Sequence, residues 1–176
     1  EIINLVSFLN DLGAKIKVFS NDNRYVIDGV DKLGNTCECQ IIPDRIEAGT
    51  YMIAASLIGG EITLENICIE HLKTVIKKIE EAGSAVNAYG DSGKEFLKIT
   101  SSKNIKPVDI TTSEYPGFPT DLQAQWMVLM SLAKGESKIT ENIYKDRFTH
   151  ISELKRFGAK ISLNKNSALI QGVKLL

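Results

Sequence analysis

Residues 117–125 read Gly117-Phe118-Pro119-Thr120-Asp121-Leu122-Gln123-Ala124-Gln125, and an earlier stretch of the chain has the same layout. The earlier stretch reads Ile41-Ile42-Pro43-Asp44-Arg45-Ile46-Glu47-Ala48-Gly49-Thr50, and its proline lies 76 positions before Pro119. The same offset relates three further pairs: Gly59 and Gly135, Glu65-Asn66 and Glu141-Asn142, and His71 and Arg147. A constant offset over this length indicates an internal duplication, so differences between the copies point to residues with a special role.

Both copies predict the same order of elements: strand, helix, strand, helix, strand, strand. Asp44 starts the first long helix as its N-cap, and Thr120 with Gln123 has the spacing of a capping box at the start of the second. We predict an α/β fold of about two and a half repeated units. Residues 1–35 are the tail of a preceding unit, 36–106 the first full unit and 107–176 the second full unit. A chain that starts in mid-pattern is expected to be a piece of a longer protein.

The shorter helix of each unit is predicted to end at a glycine. Apolar residues recur at helical spacing before each of these glycines, and a strand-like run follows. The three positions are Gly13, Gly83 and Gly158. A glycine there supplies the left-handed conformation that commonly ends a helix.

The charges of the chain nearly balance, with 21 Lys and Arg against 22 Asp and Glu and a net charge of −1 at pH 7. The sequence therefore shows no basic field for nucleic acid and no cationic run for an anionic membrane surface. No apolar run reaches the roughly 18 residues of a transmembrane helix. Residues 1–4 lack the basic start of a secretory signal. We expect neither nucleic acid nor a membrane as a partner.

The three cysteines, Cys37, Cys39 and Cys68, show no spacing of a disulfide framework, which is typical of a reducing compartment. Cys37 and Cys39 lie two apart in a predicted strand and would share one face. A metal centre would need further ligands, and the only histidines are His71 and His150. A Walker or Rossmann glycine loop is also missing from the sequence, so we expect neither a metal nor a cofactor.

Asp121 and Arg147 are the residues best placed for chemistry. Asp121 lies in the first turn of a predicted helix, where the helix dipole favours a carboxylate, and a carboxylate can take a proton from a hydroxyl group. Arg147 follows a predicted strand, and its guanidinium can fork onto a carboxylate or phosphate. The alternatives are a plain helix-start aspartate and a surface ion pair of Arg147 with Asp146 or Glu141. Trp126, the only tryptophan, is expected in the core.

Three stretches of the chain resemble signature stretches of the UDP-N-acetylglucosamine enolpyruvyl transferase (UDP-N-acetylglucosamine 1-carboxyvinyltransferase) family. Two of them, residues 43–50 and 115–125, belong to the duplicated segments. The third is Ile139-Thr140-Glu141-Asn142-Ile143-Tyr144-Lys145-Asp146-Arg147-Phe148, and the resemblance extends over essentially the whole chain. It implies the inside-out α/β barrel fold of repeated β-α-β-α-β-β units, with the active site between two globular domains.

The resemblance also implies an activity. Family members transfer the enolpyruvyl group of phosphoenolpyruvate to the 3-hydroxyl of UDP-N-acetylglucosamine and release phosphate, in the bacterial cytoplasm, as the first committed step of peptidoglycan synthesis. The substrate-binding residues implied here are Thr120, Asp121, Ile143 and Arg147, and Asp121 is implied as the catalytic base. The implied partners are phosphoenolpyruvate, UDP-N-acetylglucosamine and the remainder of the same polypeptide.

Several functional groups of the family have no counterpart in this sequence. These are its lysine–asparagine pair, its loop with the proton-donor cysteine, and the arginine and acidic residues that hold phosphoenolpyruvate. Cys37, Cys39 and Cys68 lie in different contexts, so none of them is assigned the proton-donor role. We therefore expect the chain to be the central part of the enzyme and to be inactive alone.

Two other functions are compatible with this sequence. The sister enzyme, 3-phosphoshikimate 1-carboxyvinyltransferase, shares the fold but needs a cluster of basic residues for the shikimate phosphate, which the neutral neighbours of Asp121 do not supply. The other alternative is a catalytically dead relative or a scaffold built from the same repeats. Binding of the nucleotide-sugar would separate an enzyme from a pure scaffold.

Overall fold

The first 43 residues carry one helix and a hairpin in the computed structural model, which describes residues 1–22, 24–91 and 93–176. The chain divides into two units, Glu1–Pro43 and Asp44–Leu176. The elements of the first unit are helix α1 (Ile2–Asp11), strand β1 (Lys15–Phe19), a short 3-10 helix (Ser20–Asp22) and strand β2 (Arg24–Asp28), with β1 and β2 antiparallel. The side chain of Asn10 joins α1 to β1, because it both donates to and accepts from the backbone of Ile16.

The strand predicted at the start of the first repeat is wrong. Residues 29–43 contain neither a helix nor a strand, so Cys37 and Cys39 do not share a sheet face. The corresponding strand of the second copy, β6 (Ile110–Thr111), has only two residues and exists through parallel pairing with β7 (Glu136–Thr140). Such a short strand depends on its neighbour, which an alternating sequence does not reveal. All three cysteines are free thiols.

The second unit contains both copies of the duplicated segment. The elements of the first copy are α2 (Arg45–Ile58), β3 (Glu61–Glu65), α3 (Ile69–Glu81), β4 (Ala85–Asp91) and β5 (Lys94–Thr100). Those of the second copy are β6, a 3-10 turn (Thr120–Leu122), α4 (Gln123–Ser131), β7, α5 (Ile151–Arg156), β8 (Lys160–Asn164) and β9 (Ser167–Gln171). The predicted order is confirmed from α2 onward. The repeat boundaries at residues 36 and 107 stay a prediction, because the division at Pro43 follows contacts rather than duplicated sequence.

The three strands that both copies contain are arranged in the same order in the two sheets, as a duplication requires. The first is β3-β5-β4 and the second is β6-β7-β9-β8, so the last strand of each copy lies between the two before it. Apart from the β6–β7 pair, all neighbours are antiparallel. Alternate residues of the central strands face inward and are fully buried, among them Leu97 and Ile99 on β5 and Ala168 and Ile170 on β9.

Helices α2, α3 and α4 pack on the inner faces of these sheets. On α3 the buried residues are Leu72, Val75 and Ile79, which form one stripe at helical spacing. On helix α4 six of the nine residues are buried, a broader face than that of α3, and Trp126 on it has no exposed surface. The indole N–H of Trp126 donates to the carbonyl oxygen of Val108 at 3.3 Å. The predicted core position of Trp126 is therefore confirmed.

The predicted glycine stops are also confirmed. Gly13, Gly83 and Gly158 follow the shorter helices with φ of 105°, 108° and 103°, the left-handed region that favours glycine. The residue after each glycine donates its N–H back to the last turn, for example Ser84 to the carbonyl of Ile79 at 3.2 Å. Each helix therefore turns directly into the strand that follows it. In the part of the chain that the structure describes, the helices are too short or too polar to cross a bilayer.

Candidate active site

Thr120 does not cap helix α4, so the predicted capping box is wrong. The N-cap of α4 is Leu122, and among the described residues no side chain accepts a capping hydrogen bond at this helix start. Thr120 instead begins the 3-10 turn and directs its hydroxyl to Glu141 Oε2 at 2.9 Å. Gln123 is fully buried, and neither amide atom has a hydrogen-bond partner among the described residues. By contrast, Asp44 caps α2 as predicted, accepting from the N–H groups of Ile46 at 2.7 Å and Glu47 at 3.1 Å.

Glu141 lies directly after β7, and its buried carboxylate accepts hydrogen bonds from several groups of the second copy. Its exposed fraction is 0%. Oε1 accepts from Thr112 Oγ1 at 2.6 Å and from the backbone N–H groups of Ile143 at 2.8 Å and Tyr144 at 3.1 Å. Oε2 accepts from Thr120. This carboxylate therefore joins the start of the 3-10 turn to the segment that leads to Arg147.

The charge of Glu141 is stable in this environment. Burial alone raises the pKa of its carboxyl group. The hydrogen bonds from Thr112, from the backbone of Tyr144 and Ile143, and from Thr120 outweigh burial, so the pKa lies below its ordinary value of 4.5. Glu141 is thus a buried anion with several donors directed at it, which is the usual condition for keeping a charge inside a protein.

Asp121 and Arg147, the two leading candidates, meet in the structure. Nη2 of Arg147 lies 2.8 Å from Oδ1 of Asp121. Nη1 of the same guanidinium donates to Thr120 Oγ1 at 3.3 Å. The guanidinium also lies over the ring of Tyr144, 5.4 Å from its centroid. The alternative of a surface ion pair with Asp146 or Glu141 is wrong, because Arg147 turns toward the 3-10 turn instead.

Ile143 lies in the same cluster, next to Glu141. Its backbone N–H is already bonded to Glu141, so this N–H is not open to a ligand. Its side chain is 37% exposed. The structure therefore brings all four predicted site residues, Thr120, Asp121, Ile143 and Arg147, to one place, although the sequence separates the first from the last by 27 positions.

His150 lies near this cluster at the start of α5. Its Nε2 is buried and has no hydrogen-bond partner among the described residues. Burial lowers the pKa of the imidazole below 6.5, and the positive charge of Arg147 lowers it further. Within the described ranges, no group of three or more His, Cys, Asp or Glu side chains could hold a metal ion.

The corresponding positions of the first copy are used differently. Arg45 and His71 are the counterparts of Asp121 and Arg147, and both contact the ring of Tyr115. The guanidinium of Arg45 lies 5.6 Å from the ring centroid, and the imidazole of His71 meets the ring edge-on at 6.1 Å. A neighbouring bond, from Thr74 Oγ1 to the carbonyl oxygen of Pro116 at 2.5 Å, holds the same loop. In the first copy these polar residues therefore hold a protein loop.

A cavity of about 260 Å³ lies beside the start of α2 in the first copy. Its lining residues include Asp44, Glu47, Glu65 and Asn66. Glu65 is exposed there, whereas its counterpart Glu141 is fully buried. The two copies thus share a layout but differ in the environment of the same glutamate.

Glu141 and Thr112 are the members of the cluster that sequence reasoning missed. The repeated Glu-Asn pair was visible, but it gave no sign that only one of the two glutamates is buried. Thr112 Oγ1 donates to Glu141 and accepts from the N–H of Asn142 at 2.9 Å. Both roles depend on packing across the β6–β7 edge, which the local sequence does not specify.

The chain is similar in sequence to known carboxyvinyltransferases. The family model described as EPSP synthase (3-phosphoshikimate 1-carboxyvinyltransferase) matches residues 1–176. UDP-N-acetylglucosamine 1-carboxyvinyltransferase 1 of Caldanaerobacter subterraneus subsp. tengcongensis is 47% identical over 173 residues, which are 98% of this chain and 40% of that protein. UDP-N-acetylglucosamine 1-carboxyvinyltransferase of Prochlorococcus marinus is 49% identical over 176 residues, which are 100% of this chain and 37% of that protein.

Solved structures show the same fold. The enolpyruvyl transferase NikO from Streptomyces tendae superposes with a TM-score of 0.80 at 23% identity, over 97% of this chain and 40% of that one. EPSP synthase from Acinetobacter baumannii gives a TM-score of 0.60 at 21% identity, over 93% of this chain and 38% of that one. The chain spans about 40% of the length of the relatives it matches. By its match along all 176 residues, it belongs to the EPSP synthase (3-phosphoshikimate 1-carboxyvinyltransferase) family of enolpyruvyl transferases.

Proposed function

We propose that the chain is the acceptor-binding part of a UDP-N-acetylglucosamine 1-carboxyvinyltransferase. The complete enzyme transfers the enolpyruvyl group of phosphoenolpyruvate to the 3-hydroxyl of UDP-N-acetylglucosamine and releases phosphate. This reaction is the first committed step of peptidoglycan synthesis and takes place in the bacterial cytoplasm. The observation that carries the proposal is the ion pair of Asp121 and Arg147, in a chain whose 47–49% identical relatives bear this enzyme's name.

Asp121 is proposed as the base. Its side chain is 49% exposed, so a ligand can approach it. Transfer forms a bond from the acceptor oxygen to the enolpyruvyl carbon and breaks the bond from that carbon to the phosphate oxygen. The hydroxyl proton must leave as the new bond forms, and a carboxylate within hydrogen-bond reach can take it. Arg147 fixes this carboxylate through Oδ1, which leaves Oδ2 as the atom that receives the proton.

Arg147, Thr120 and Ile143 are proposed to complete the substrate site. The side chain of Arg147 is 37% exposed, and its guanidinium uses two of its five N–H donors on Asp121 and Thr120. Its remaining donors can meet an anionic group of a substrate. Ile143 contributes its half-exposed side chain as an apolar contact. The use of Arg45 and His71 to hold a loop in the first copy supports the assignment of substrate binding to the second copy.

The sister reaction with shikimate 3-phosphate is the alternative. The family model bears that enzyme's name. The relatives at 47–49% identity carry the nucleotide-sugar name, whereas the solved EPSP synthase is 21% identical. This difference favours the nucleotide-sugar as acceptor.

The proposal requires the rest of the enzyme. The family's proton-donor cysteine loop and its lysine–asparagine pair are not among the 176 residues, so the remainder of the polypeptide is the proposed partner of this chain. We expect the 176-residue chain alone to release no phosphate.

The test is phosphate release from phosphoenolpyruvate by a complete enzyme that carries this chain. UDP-N-acetylglucosamine and shikimate 3-phosphate are supplied separately as acceptors, and the 176-residue chain is the control. Release with the nucleotide-sugar alone is the expected result. Release with shikimate 3-phosphate alone would move the protein to the sister reaction. No release with either acceptor, together with no binding of the nucleotide-sugar, would favour a scaffold.

A further inference from the structure

Glu141 is the anion at the centre of the candidate site, and none of its surface can meet a substrate. In the part of the chain that the structure describes, it is the one fully buried acidic residue. Its two oxygens contact groups on both sides of the site. On one side is the 3-10 turn with Thr120, and on the other is the segment from Ile143 to Arg147.

The charge of Glu141 determines the direction of the hydrogen bonds around it. A carboxylate can only accept, so the hydroxyl proton of Thr120 must point to Glu141 Oε2, at 2.9 Å. This leaves a lone pair of Thr120 Oγ1 for Nη1 of Arg147, at 3.3 Å. Because a guanidinium can only donate, Thr120 can bond to Arg147 only while its own proton points elsewhere. Thr120 thus connects the two residues: it donates to the Glu141 carboxylate and accepts from the Arg147 guanidinium.

The same carboxylate also fixes the backbone that carries Arg147. Glu141 Oε1 holds the N–H groups of Ile143 and Tyr144. The carbonyl oxygen of Tyr144 then accepts from the N–H of Arg147 at 3.1 Å. The ring of Tyr144 lies under the guanidinium. Both the main chain and the side chain of Arg147 are therefore held by groups that Glu141 holds.

We propose that Glu141 is a positioning residue that sets the guanidinium of Arg147 in place against Asp121. Glu141 touches no substrate and acts through the Thr120 hydroxyl and the turn at residues 143–147. Its effect on turnover rests on the proposed function. Its effect on the geometry of the Arg147–Asp121 pair does not depend on that function.

Two substitutions separate this role from simple support of the fold. Glu141→Gln keeps the shape of the side chain, but its amide N–H₂ donates to Thr120 Oγ1. The Thr120 proton then has no acceptor at position 141 and turns toward Arg147, which is also a donor. Thr120→Val keeps every backbone bond of Glu141 and removes only the hydroxyl that connects Glu141 to Arg147. Glu65→Gln is the matched control, because Glu65 occupies the same position of the first copy and is exposed.

The experiment uses the complete enzyme and has two readouts. Crystal structures of Glu141→Gln and Thr120→Val are expected to show the Arg147 Nη2 to Asp121 Oδ1 contact lengthened from 2.8 Å to more than 4 Å. We expect kcat/KM with UDP-N-acetylglucosamine, per folded molecule, to fall about 100-fold in each variant, as for a misplaced group near the chemistry. In the double variant, kcat/KM should fall no more than about threefold further, because both changes interrupt the same connection from Glu141 to Arg147. Glu65→Gln should stay within about twofold of the parent, as expected for an exposed surface position.

Two results would overturn the proposal. One is a folded Glu141→Gln or Thr120→Val enzyme that keeps the Arg147–Asp121 contact near 2.8 Å. The other is a double variant in which kcat/KM falls by the product of the two single-variant decreases. If Glu141→Gln does not fold, Thr120→Val alone decides the matter by the same contact. If the parent enzyme shows no transfer to the nucleotide-sugar, the proposed function fails, and the crystal structures still decide whether Glu141 positions Arg147.

Discussion

Asp121 and Arg147 keep 49% and 37% of their side chains exposed while they form an ion pair. Pairs exposed to this degree contribute only about 0–1 kcal/mol to stability, because water screens the charges and both side chains lose freedom. The pair is therefore poorly explained as a device for holding the fold together. A carboxylate and a guanidinium that are fixed to each other and open to solvent suit the binding of a polar ligand.

Replacing Arg147 by Lys retains the positive charge but removes the fork that reaches Asp121 and Thr120 together. We expect kcat/KM of the complete enzyme to fall about 10- to 100-fold, the equivalent of one lost charge-assisted hydrogen bond. The melting temperature should change by only a few degrees, since the pair is largely exposed. Steady-state kinetics and thermal unfolding measure the two effects. The control is Arg156→Lys, which alters an exposed pair with Glu153, and an unchanged kcat/KM for Arg147→Lys would refute the role of the fork.

His150 gives stability a pH dependence. Burial, and then the charge of Arg147, lower its pKa below 6.5, so the folded state binds the imidazole proton more weakly than the unfolded state does. This contribution to stability is therefore complete above about pH 6.5 and is lost as the pH falls through the folded-state pKa. Urea unfolding from about pH 8 to pH 5, followed by the fluorescence of the buried Trp126, should show this loss.

The same titration with His150→Gln should be flatter over this range. His71 is the only other histidine, so His71→Gln is the control for an unrelated imidazole. The assignment would be wrong if the slope persisted in His150→Gln and disappeared in His71→Gln.

At the scale of single elements, the sequence predicts the starts and ends of helices where one local interaction decides them. Asp44 caps α2 and Gly83 ends α3 because the cap and the left-handed turn involve only neighbouring residues. The prediction fails at Thr120, whose hydroxyl has a stronger distant acceptor in Glu141. Glu65 and Glu141 have similar local sequences, and only packing makes one exposed and the other fully buried. The sequence therefore identifies Asp121 and Arg147 as site candidates, but it does not reveal the buried Glu141 carboxylate that lies between their elements.

The exit from β9 depends on a close backbone contact at Gly172. A Cβ added there would lie 1.7 Å from the carbonyl oxygen of Ala133, which belongs to the backbone and cannot rotate away. Gly172 N–H also donates to the carbonyl of Gly135 at 2.9 Å, which holds the strand end in place. We expect Gly172→Ala to destabilise the second unit by roughly 2–3 kcal/mol, the upper part of the range for overpacking. Urea unfolding followed by Trp126 fluorescence measures this loss.

Gly90→Ala is the matched control in the same unit. Its added Cβ would lie 3.6 Å from the carbonyl oxygen of Lys94, an ordinary contact in strand β4. We expect it to be neutral or slightly stabilising, because alanine loses less conformational freedom than glycine on folding. Equal stability of Gly172→Ala and Gly90→Ala would contradict the close contact.

At the scale of the whole molecule, duplication explains both the fold and the limits of what the sequence reveals. The shared strand order of the two sheets follows from the repeat, and similar segments in the two copies pack in similar ways. The copies then diverge at corresponding positions, where Arg45 and His71 hold a loop and Asp121 and Arg147 form an exposed pair. With about 40% of the length of its relatives, the chain supplies one side of a larger site in the proposed enzyme.

The role of Asp121 as the base is tested most directly by phosphate release from phosphoenolpyruvate and UDP-N-acetylglucosamine in an Asp121→Asn complete enzyme. Loss of a general base is expected to lower kcat by about 10²- to 10⁴-fold with the melting temperature nearly unchanged. The control is Asp44→Asn, since asparagine caps a helix about as well as aspartate and should leave kcat within about twofold. A kcat for Asp121→Asn within about threefold of the parent would contradict the assignment of Asp121 as the base.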